Sequence, residues 1–142
     1  MIIISACLAG LGCRHDGGSE LQEPLAVLMA EGKAIPLCPE QLGGLPTPRP
    51  PAQIVGGDGC DVLAGRAWVR TGDGQDVTGA FIKGAREVLK VALLVRAERA
   101  ILKDKSPSCG LHWIHQGEGL VLGMGVTAAL LAQNGIPVEA TE

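Results

Sequence analysis

The sequence predicts an α/β fold: a single domain with a mainly parallel, Rossmann-like sheet, flanking helices and a small β-hairpin insertion. Short apolar runs typical of buried strands alternate with longer segments that have helical spacing. The chain has 142 residues, which is the size of one domain. Its 21 glycines and nine prolines are dispersed among the apolar runs, which indicates frequent turns in an ordered chain. We therefore expect residues 1–142 to fold as one unit.

The first predicted strand covers residues 2–6, an apolar, isoleucine-rich run typical of a central parallel strand. Cys7 ends this strand or follows it directly. Residues 8–18 then form a loop with four glycines, which lets the backbone come close to a ligand, and the loop carries Cys13 and Asp16. The glycine spacing matches neither a dinucleotide-binding turn nor a P-loop, so it predicts no nucleoside triphosphate site.

A helix and a second strand follow. Apolar residues recur at helical spacing over residues 21–31, which predicts an amphipathic helix. Residues 34–38 are a short strand, irregular or at a sheet edge, because Pro36 has no N–H. Cys38 ends this strand as Cys7 ends the first. Since strand, helix and strand imply a parallel crossover, we expect both thiols at the same edge of one sheet.

The middle of the chain is predicted to hold a long loop and the hairpin insertion. Residues 41–59 are rich in proline and glycine, which is typical of a stiff segment that could wall a pocket, and Arg49 lies in its middle. Residues 60–64 and 67–70 read as the two strands of the hairpin, with Cys60 as a structural thiol.

A long helix is predicted over residues 80–96, with apolar residues near one face and Thr78 as its N-cap. The chain then reaches a third strand at residues 99–102. The last predicted elements are a hairpin or lid, a helix and a final strand, at residues 113–114 with 120–122, 124–134 and 136–140.

Cys109 lies in the loop beyond the third strand. In open α/β sheets, active sites and ligand-binding sites lie at this carboxyl end of the strands. A proline and a glycine on either side of it force a sharp turn. Lys103 and Lys105 are expected to favour its thiolate form. A thiol in this setting is better suited to bind a metal or to react than to pack, although a buried cysteine in a tight loop is the simpler interpretation.

Composition excludes several function classes. With one Phe, two Trp and no Tyr, the chain has no aromatic platform for stacking bases, and a formal charge of −3 gives no general attraction to a phosphate backbone. The amino terminus has neither a basic region nor an apolar stretch of membrane length. We expect a cytoplasmic protein without membrane contact, whose five cysteines are reduced.

Three thiols are predicted to converge. Cys7, Cys38 and Cys109 each follow a different strand, and no Cys-x-x-Cys spacing occurs. Thiolates from three loops suit a [4Fe-4S] cluster with one open iron. Two other interpretations stay open: a zinc-binding or Fe-S module without activity, and a thiol enzyme with Cys109 as the nucleophile.

Five segments carry a resemblance to a known family. They are SACLAGLGCRHDG at residues 5–17, CPEQLGGLPTPRP at 38–50, DVT at 76–78, SPSCG at 106–110 and GVTAALL at 125–131. In this order, over nearly the whole chain, they resemble the DUF523 family, which includes the thiouracil desulfidases. The resemblance implies an α/β fold and removal of sulfur from 2-thiouracil to give uracil and hydrogen sulfide. It also implies a [4Fe-4S] cluster held by Cys7, Cys38 and Cys109.

The sequence also departs from the family pattern. His15 stands where the family commonly has Tyr, and Gln53 where an acidic residue often stands, so the substrate is specified less closely than the cluster. Cys13 is expected to lie outside the ligand set because desulfidase-like members replace it. The resemblance favours a small thiolated pyrimidine over tRNA, because a domain fused to some family members is missing. It predicts no oligomeric state.

The hypothesis for the reaction needs several side chains. The open iron would bind the thiocarbonyl sulfur, water would attack the ring carbon, and a carboxylate would accept the proton of that water. Glu40 is the first candidate for this base, followed by Asp16 and Asp104. Ser106 or Ser108 would hold the edge of the pyrimidine.

Lys105 or Arg49 would offset the negative charge that develops. Most of these side chains also have a structural interpretation, as turn, loop or clamp residues. His112 and His115 are expected to be exposed and not to be ligands.

Overall fold

The computed structural model describes residues 1–141. In chain order, the described elements are β1 (Ile2–Ser5), a 3₁₀ helix (Ala6–Ala9), α1 (Glu23–Ala30), β2 (Ala34–Leu37), α2 (Pro39–Leu42), β3 (Ala52–Val55), α3 (Gly59–Leu63), β4 (Trp68–Thr71), α4 (Thr78–Leu94), β5 (Arg99–Lys103), β6 (Trp113–Gln116), β7 (Gly119–Leu122), α5 (Val126–Gln133) and β8 (Val138–Thr141).

A parallel sheet with strand order β2-β1-β5-β8 forms the centre of the fold. β1 lies inside this sheet, and its residues Ile2, Ile3 and Ile4 are buried on both faces. β2 lies at the edge, where Pro36 sits opposite Ile4. An edge strand tolerates proline because its outer N–H groups have no neighbouring strand to bond. The predicted positions of the first two strands are therefore confirmed.

Helices cover both faces of the sheet. α1 packs Leu25 against Ile2 and Ile4 on one face. α4 and α5 cover the other face. There, Val88 and Leu131 belong to the same buried cluster as Ile3, Ala100 and Leu102 of the sheet. This arrangement confirms the predicted α/β class. Within residues 1–141, no helix is both long and apolar enough to cross a membrane.

The predicted hairpin of residues 60–64 and 67–70 is wrong. Residues 59–63 form α3, which begins with a capping box: the Asp58 carboxylate accepts from the amide of Asp61 at 3.4 Å, and the Asp61 carboxylate accepts from the amide of Asp58 at 3.0 Å. β4 pairs instead with β3, which lies inside the predicted proline-rich loop. A second hairpin, formed by β6 and β7, confirms the hairpin alternative for that segment.

The prediction that Thr78 is the N-cap of the long helix is wrong. Val77 is the N-cap, and Thr78 is the first residue of α4. Its hydroxyl accepts from the amide of Val69 at 2.8 Å and donates to the Asp76 carboxylate at 2.6 Å. These bonds fasten the start of α4 to β4. Thr78 therefore lies at the start of the helix, as predicted, but its side chain binds β4 and does not cap the helix.

α2 and α4 touch through their backbones at two glycines. A Cβ on Gly84 would lie 1.9 Å from the carbonyl oxygen of Pro39, and a Cβ on Gly43 would lie 2.0 Å from that of Ala80. Because no side chain fits between the two helices, α4 fixes the position of α2. This contact also fixes Cys38, which is the N-cap of α2.

Candidate active site

A cavity of about 710 Å³ opens at the carboxyl ends of β1, β2 and β5. Cys7, Cys38 and Cys109 all line it, so the predicted convergence of these three residues is observed. None of the three forms a disulfide. The wall opposite the sheet includes residues 51–53, from the proline-rich segment that was expected to wall a pocket.

Cys7 is placed by the 3₁₀ helix that follows β1. The helix ends at Gly10, whose φ of 90° lies in the left-handed region that favours glycine. The Cys7 carbonyl accepts from the amides of Gly10 at 3.2 Å and Glu20 at 2.8 Å, which ties the loop back onto the strand end. The Cys7 thiol is thereby held at the floor of the cavity instead of on a free loop.

Cys38 and Cys13 form a contact that the sequence did not predict. The Cys38 thiol donates to the carbonyl oxygen of Cys13 at 3.7 Å. Hydrogen bonding with the Cys13 thiol lowers the pKa of Cys38 to about 6 and also lowers the pKa of Cys7 below its usual value. The pKa of Cys13 itself is raised by the same hydrogen bonds. The protonated Cys13 thiol thus favours the thiolate forms of its two neighbours.

Cys109 lies in a turn that is docked on the start of α5. Its amide donates to the Ser106 hydroxyl at 2.8 Å, and the Ser108 carbonyl accepts from the amide of Thr127 at 2.8 Å. Gly125 permits this approach, because a Cβ there would lie 2.5 Å from the backbone carbon of Ser108. The turn is therefore held by backbone contacts on both sides of the cysteine.

The expectation that Lys103 and Lys105 favour the Cys109 thiolate is wrong. Burial raises the pKa of Cys109 to about 12, and the thiol is 4% exposed. The Lys103 ammonium pairs instead with Glu20 at 3.2 Å. Burial thus favours the protonated form of the Cys109 thiol.

A chain of polar contacts runs beside the three cysteines. One Glu40 oxygen, Oε1, accepts from Arg49 Nε at 3.1 Å, and the other, Oε2, accepts from the Ser108 hydroxyl at 3.1 Å. The hydroxyls of Ser108 and Ser106 lie 3.1 Å apart. The Ser108 hydroxyl oxygen also lies 3.7 Å from the sulfur of Cys109. A carboxylate, two hydroxyls and a thiol are therefore connected along one wall of the cavity.

The other two predicted carboxylates accept hydrogen bonds from backbone amides, and of the two only Asp104 lines the cavity. Asp104 Oδ1 accepts from the backbone amides of four residues, Lys105, Leu111, His112 and Trp113, at 2.9 to 3.3 Å. Burial opposes ionisation of Asp104, but these hydrogen bonds outweigh it and lower the pKa of the carboxyl. Asp16 is exposed and accepts from the amide of Gly18 at 2.8 Å, and it is not among the residues that line the cavity.

Lys105 and both serines line the cavity. His115 also reaches its rim, while the imidazole of His112 lies 3.8 Å from Asp104. Cys60 lies in α3, away from the cavity lining, and burial raises the pKa of its thiol. Within the described part of the chain, no three His, Cys, Asp or Glu side chains are arranged to hold a single metal ion.

This arrangement brings together soft sulfur ligands and a polar chain that can accept and pass on a proton. Most of its members were expected from the sequence. The ion pair between Glu40 and Arg49 and the contacts of Cys13 were not expected, because they depend on how residues 41–49 and the loop of residues 8–18 turn. The signal available beforehand was only that Arg49 lies in a stiff segment next to the Cys38 strand.

Comparisons with known proteins agree with this site. The sequence profile of the 2-thiouracil desulfurase family matches residues 2–142. An uncharacterized protein of Bacillus subtilis (strain 168), YbbK, is 46% identical over 141 residues, which cover 97% of this chain and 93% of that protein. The solved structure of the [4Fe-4S]-dependent thiouracil desulfidase TudS (DUF523Vcz) has 42% sequence identity and a TM-score of 0.86. This match covers 98% of this chain and 89% of TudS.

Proposed function

We propose, from the premise that this chain belongs to the 2-thiouracil desulfurase family, that it is a [4Fe-4S]-dependent desulfidase. It removes sulfur from 2-thiouracil or a related thiolated pyrimidine and releases uracil and hydrogen sulfide. The observation that carries the proposal is the meeting of Cys7, Cys38 and Cys109 on one cavity, beside the Glu40 carboxylate. The solved structure of TudS, a [4Fe-4S]-dependent thiouracil desulfidase with 42% sequence identity to this chain, supports it.

The cysteines fit such a cluster in their chemistry. Cluster ligands bind as thiolates, and hydrogen bonding with Cys13 lowers the pKa values of Cys7 and Cys38. Cys109 would lose its proton on binding, since metal coordination deprotonates a thiol outright. When bound, the cluster supplies an iron with an open coordination position that polarises the thiocarbonyl group as a Lewis acid.

Glu40 is the group that accepts the proton of the attacking water. Its Oε1 is occupied by Arg49, so Oε2 is the oxygen that faces Ser108 and the cavity. The hydroxyls of Ser108 and Ser106 continue from Oε2 towards Cys109, and they can hold the water or the pyrimidine edge by hydrogen bonds. Both serines are thus assigned to positioning of the reactants.

Charge compensation falls to Lys105. Lys105 lines the cavity, and the Arg49 guanidinium binds Glu40, Thr47 and two backbone carbonyls. An ammonium at the cavity wall stabilises negative charge that develops on the pyrimidine during attack. Arg49 is therefore not assigned a direct contact with the substrate.

The alternative of a thiol enzyme has less support. A nucleophilic cysteine needs a thiolate in reach of the substrate, but Cys109 is 4% exposed and burial raises its pKa to about 12. The Ser108 hydroxyl lies between the Glu40 carboxylate and the sulfur, so this base is not in direct contact with Cys109. Cys109 is therefore better suited to be a ligand.

The test is desulfuration by the reconstituted protein. The protein is loaded anaerobically with iron and sulfide and is then given 2-thiouracil in ¹⁸O-labelled water. We expect equal amounts of sulfide and uracil, with the label in the new carbonyl group. Loaded protein that releases no sulfide from 2-thiouracil or related thiobases would contradict the activity, and unlabelled uracil would contradict the attack by water.

Glu40→Gln tests the assignment of the base. We expect kcat to fall by about 10²- to 10⁴-fold, the usual range for loss of a general base, while the iron content stays unchanged. Glu23→Gln is the matched control, because Glu23 is exposed at the start of α1. Full activity of Glu40→Gln would remove Glu40 from the reaction.

A further inference from the structure

The Arg49 side chain forms four hydrogen bonds at the cavity wall. Its side chain is 5% exposed, and its Nε donates to Glu40 Oε1 at 3.1 Å. Nη1 donates to the Thr47 hydroxyl at 2.8 Å and to the Pro46 carbonyl at 3.2 Å, and Nη2 donates to the Cys13 carbonyl at 2.8 Å. All three nitrogens of the guanidinium are thus engaged.

These bonds join segments that are distant in sequence. Nη2 reaches the loop that follows Cys7, and the backbone amide of Arg49 donates to the His15 carbonyl of the same loop at 2.8 Å. Nε reaches Glu40 at the start of α2. Through Glu40 and Ser108, the connection continues to the Cys109 turn. Arg49 therefore links all three segments that supply a cysteine to the cavity.

The planar shape of the guanidinium makes this link directional. A guanidinium presents its donors in a fixed fork, whereas an ammonium is a point charge with rotating donors. With Oε1 held by Nε, the Glu40 carboxylate cannot turn, and Oε2 is the oxygen left to face Ser108 and the cavity. A lysine at this position would keep the positive charge but could not hold Glu40, Thr47 and the Cys13 carbonyl together.

We propose that Arg49 is a positioning residue that acts through Glu40: it fixes the carboxylate so that Oε2 is aimed at the reacting water. The inference rests on the proposed function, in which Glu40 accepts the proton. It assigns to Arg49 an effect on the reaction step and little effect on substrate binding or on loading of the cluster.

The test compares Arg49→Lys with the native protein after reconstitution. We expect kcat with 2-thiouracil to fall by about 10- to 100-fold, since a misplacement of about 1 Å can cost that much. KM should stay within about threefold, and iron per chain should be unchanged, because neither depends on the aim of Glu40. Arg66→Lys is the control, because Arg66 is exposed and pairs with Asp61 outside the cavity.

A double variant separates positioning from a general structural role. In a Glu40→Asp background the shorter carboxylate no longer bridges Arg49 and Ser108, so Arg49→Lys should lower kcat by less than about twofold further. If Arg49→Lys lowers kcat by the same factor in both backgrounds, or removes iron from the protein, the proposal is overturned. Should Arg49→Lys fail to fold, Thr47→Ala, which removes only one of the bonds to Arg49, should lower kcat a few-fold with unchanged iron.

Failure of the proposed function would look different. If Glu40→Asp and Glu40→Gln both keep native kcat, Glu40 is not the base and the premise fails. If those variants lose activity while Arg49→Lys and Thr47→Ala keep it, the function stands and only the role of Arg49 is refuted.

Discussion

The contact between α2 and α4 predicts an unusually strong effect of adding one methyl group. In Gly84→Ala, the new Cβ would lie 1.9 Å from the Pro39 carbonyl oxygen, and ordinary contact begins near 3.4 Å. α2 must therefore move by about 1.5 Å, the difference between these distances. Cys38 and Glu40 belong to that segment, so both would be displaced at the cavity wall.

Two opposing contributions determine the stability of this variant. Alanine favours a helix over glycine by about 1 kcal/mol, whereas overpacking of a tight contact costs about 1 to 3 kcal/mol. We therefore expect a net destabilisation of up to about 2 kcal/mol. The displacement of Glu40 should lower kcat by about 100-fold, because shifts of about 1 Å at a reacting group have effects of that size.

The assay measures Tm, iron per chain and the rate of sulfide release from 2-thiouracil in the same preparations. Gly79→Ala is a control in the same helix: its Cβ would meet nothing within 4 Å. This control should keep native kcat and gain up to about 1 kcal/mol of stability. If Gly84→Ala also kept native kcat, iron content and Tm, the conclusion that this helix contact positions Cys38 and Glu40 would be refuted.

Two further predictions concern the loop after β5 and the choice of ligands. The pKa of Asp104 is lowered in the folded protein, so the stability it contributes is present above its unfolded pKa of about 4 and is lost as the pH falls through the folded value. Asp104→Asn should therefore lower stability by about 2 kcal/mol at pH 7, and its Tm deficit should shrink towards pH 3; a deficit independent of pH would contradict this. Single Cys→Ser variants test the ligands by iron analysis: those at the three proposed ligands should lose the cluster, and those at Cys13 and Cys60 should keep it. Loss of iron in Cys13→Ser, with retention in Cys7→Ser, would contradict the ligand set.

The sheet and the meeting of the cysteines were predictable because they follow from chain topology. Parallel strands place their carboxyl ends at one edge, so Cys7 and Cys38, which directly follow β1 and β2, are expected there, and Cys109 is expected near the same edge because it follows β5. Pro36 likewise identified the edge strand by its missing N–H. The strand order depends on residue pattern, whereas the final position of Cys109 also depends on the contacts of its turn with the start of α5.

Other features were not predictable because they depend on local competition. Residues 59–63 are short and apolar, a pattern that fits a strand as well as a helix, and the capping box formed by Asp58 decided for the helix. The strand β3 was hidden in a segment whose prolines predict a loop. The sequence predicts that Lys103 lies beside the Cys109 thiol, but its ammonium pairs with Glu20. This pairing was not predictable because Glu20 is distant in sequence.

The polar chain at the site illustrates the same limit. Glu40 and the serines could be selected as candidates by their closeness to cysteines in the sequence. Their arrangement could not be predicted from the sequence, since Arg49 reaches Glu40 only because residues 41–49 turn back onto the start of α2. Local pattern therefore predicts the candidate groups, and tertiary structure decides how their atoms are arranged at the cavity.

The most direct test of the central claim is to count metal and sulfide in the anaerobically reconstituted protein. If Cys7, Cys38 and Cys109 share one inorganic centre, a brown protein should contain about four iron ions and about four acid-labile sulfides per chain. Replacing any one of these three cysteines should abolish both. A colourless protein that binds one zinc ion per chain and takes up no iron would contradict the claim.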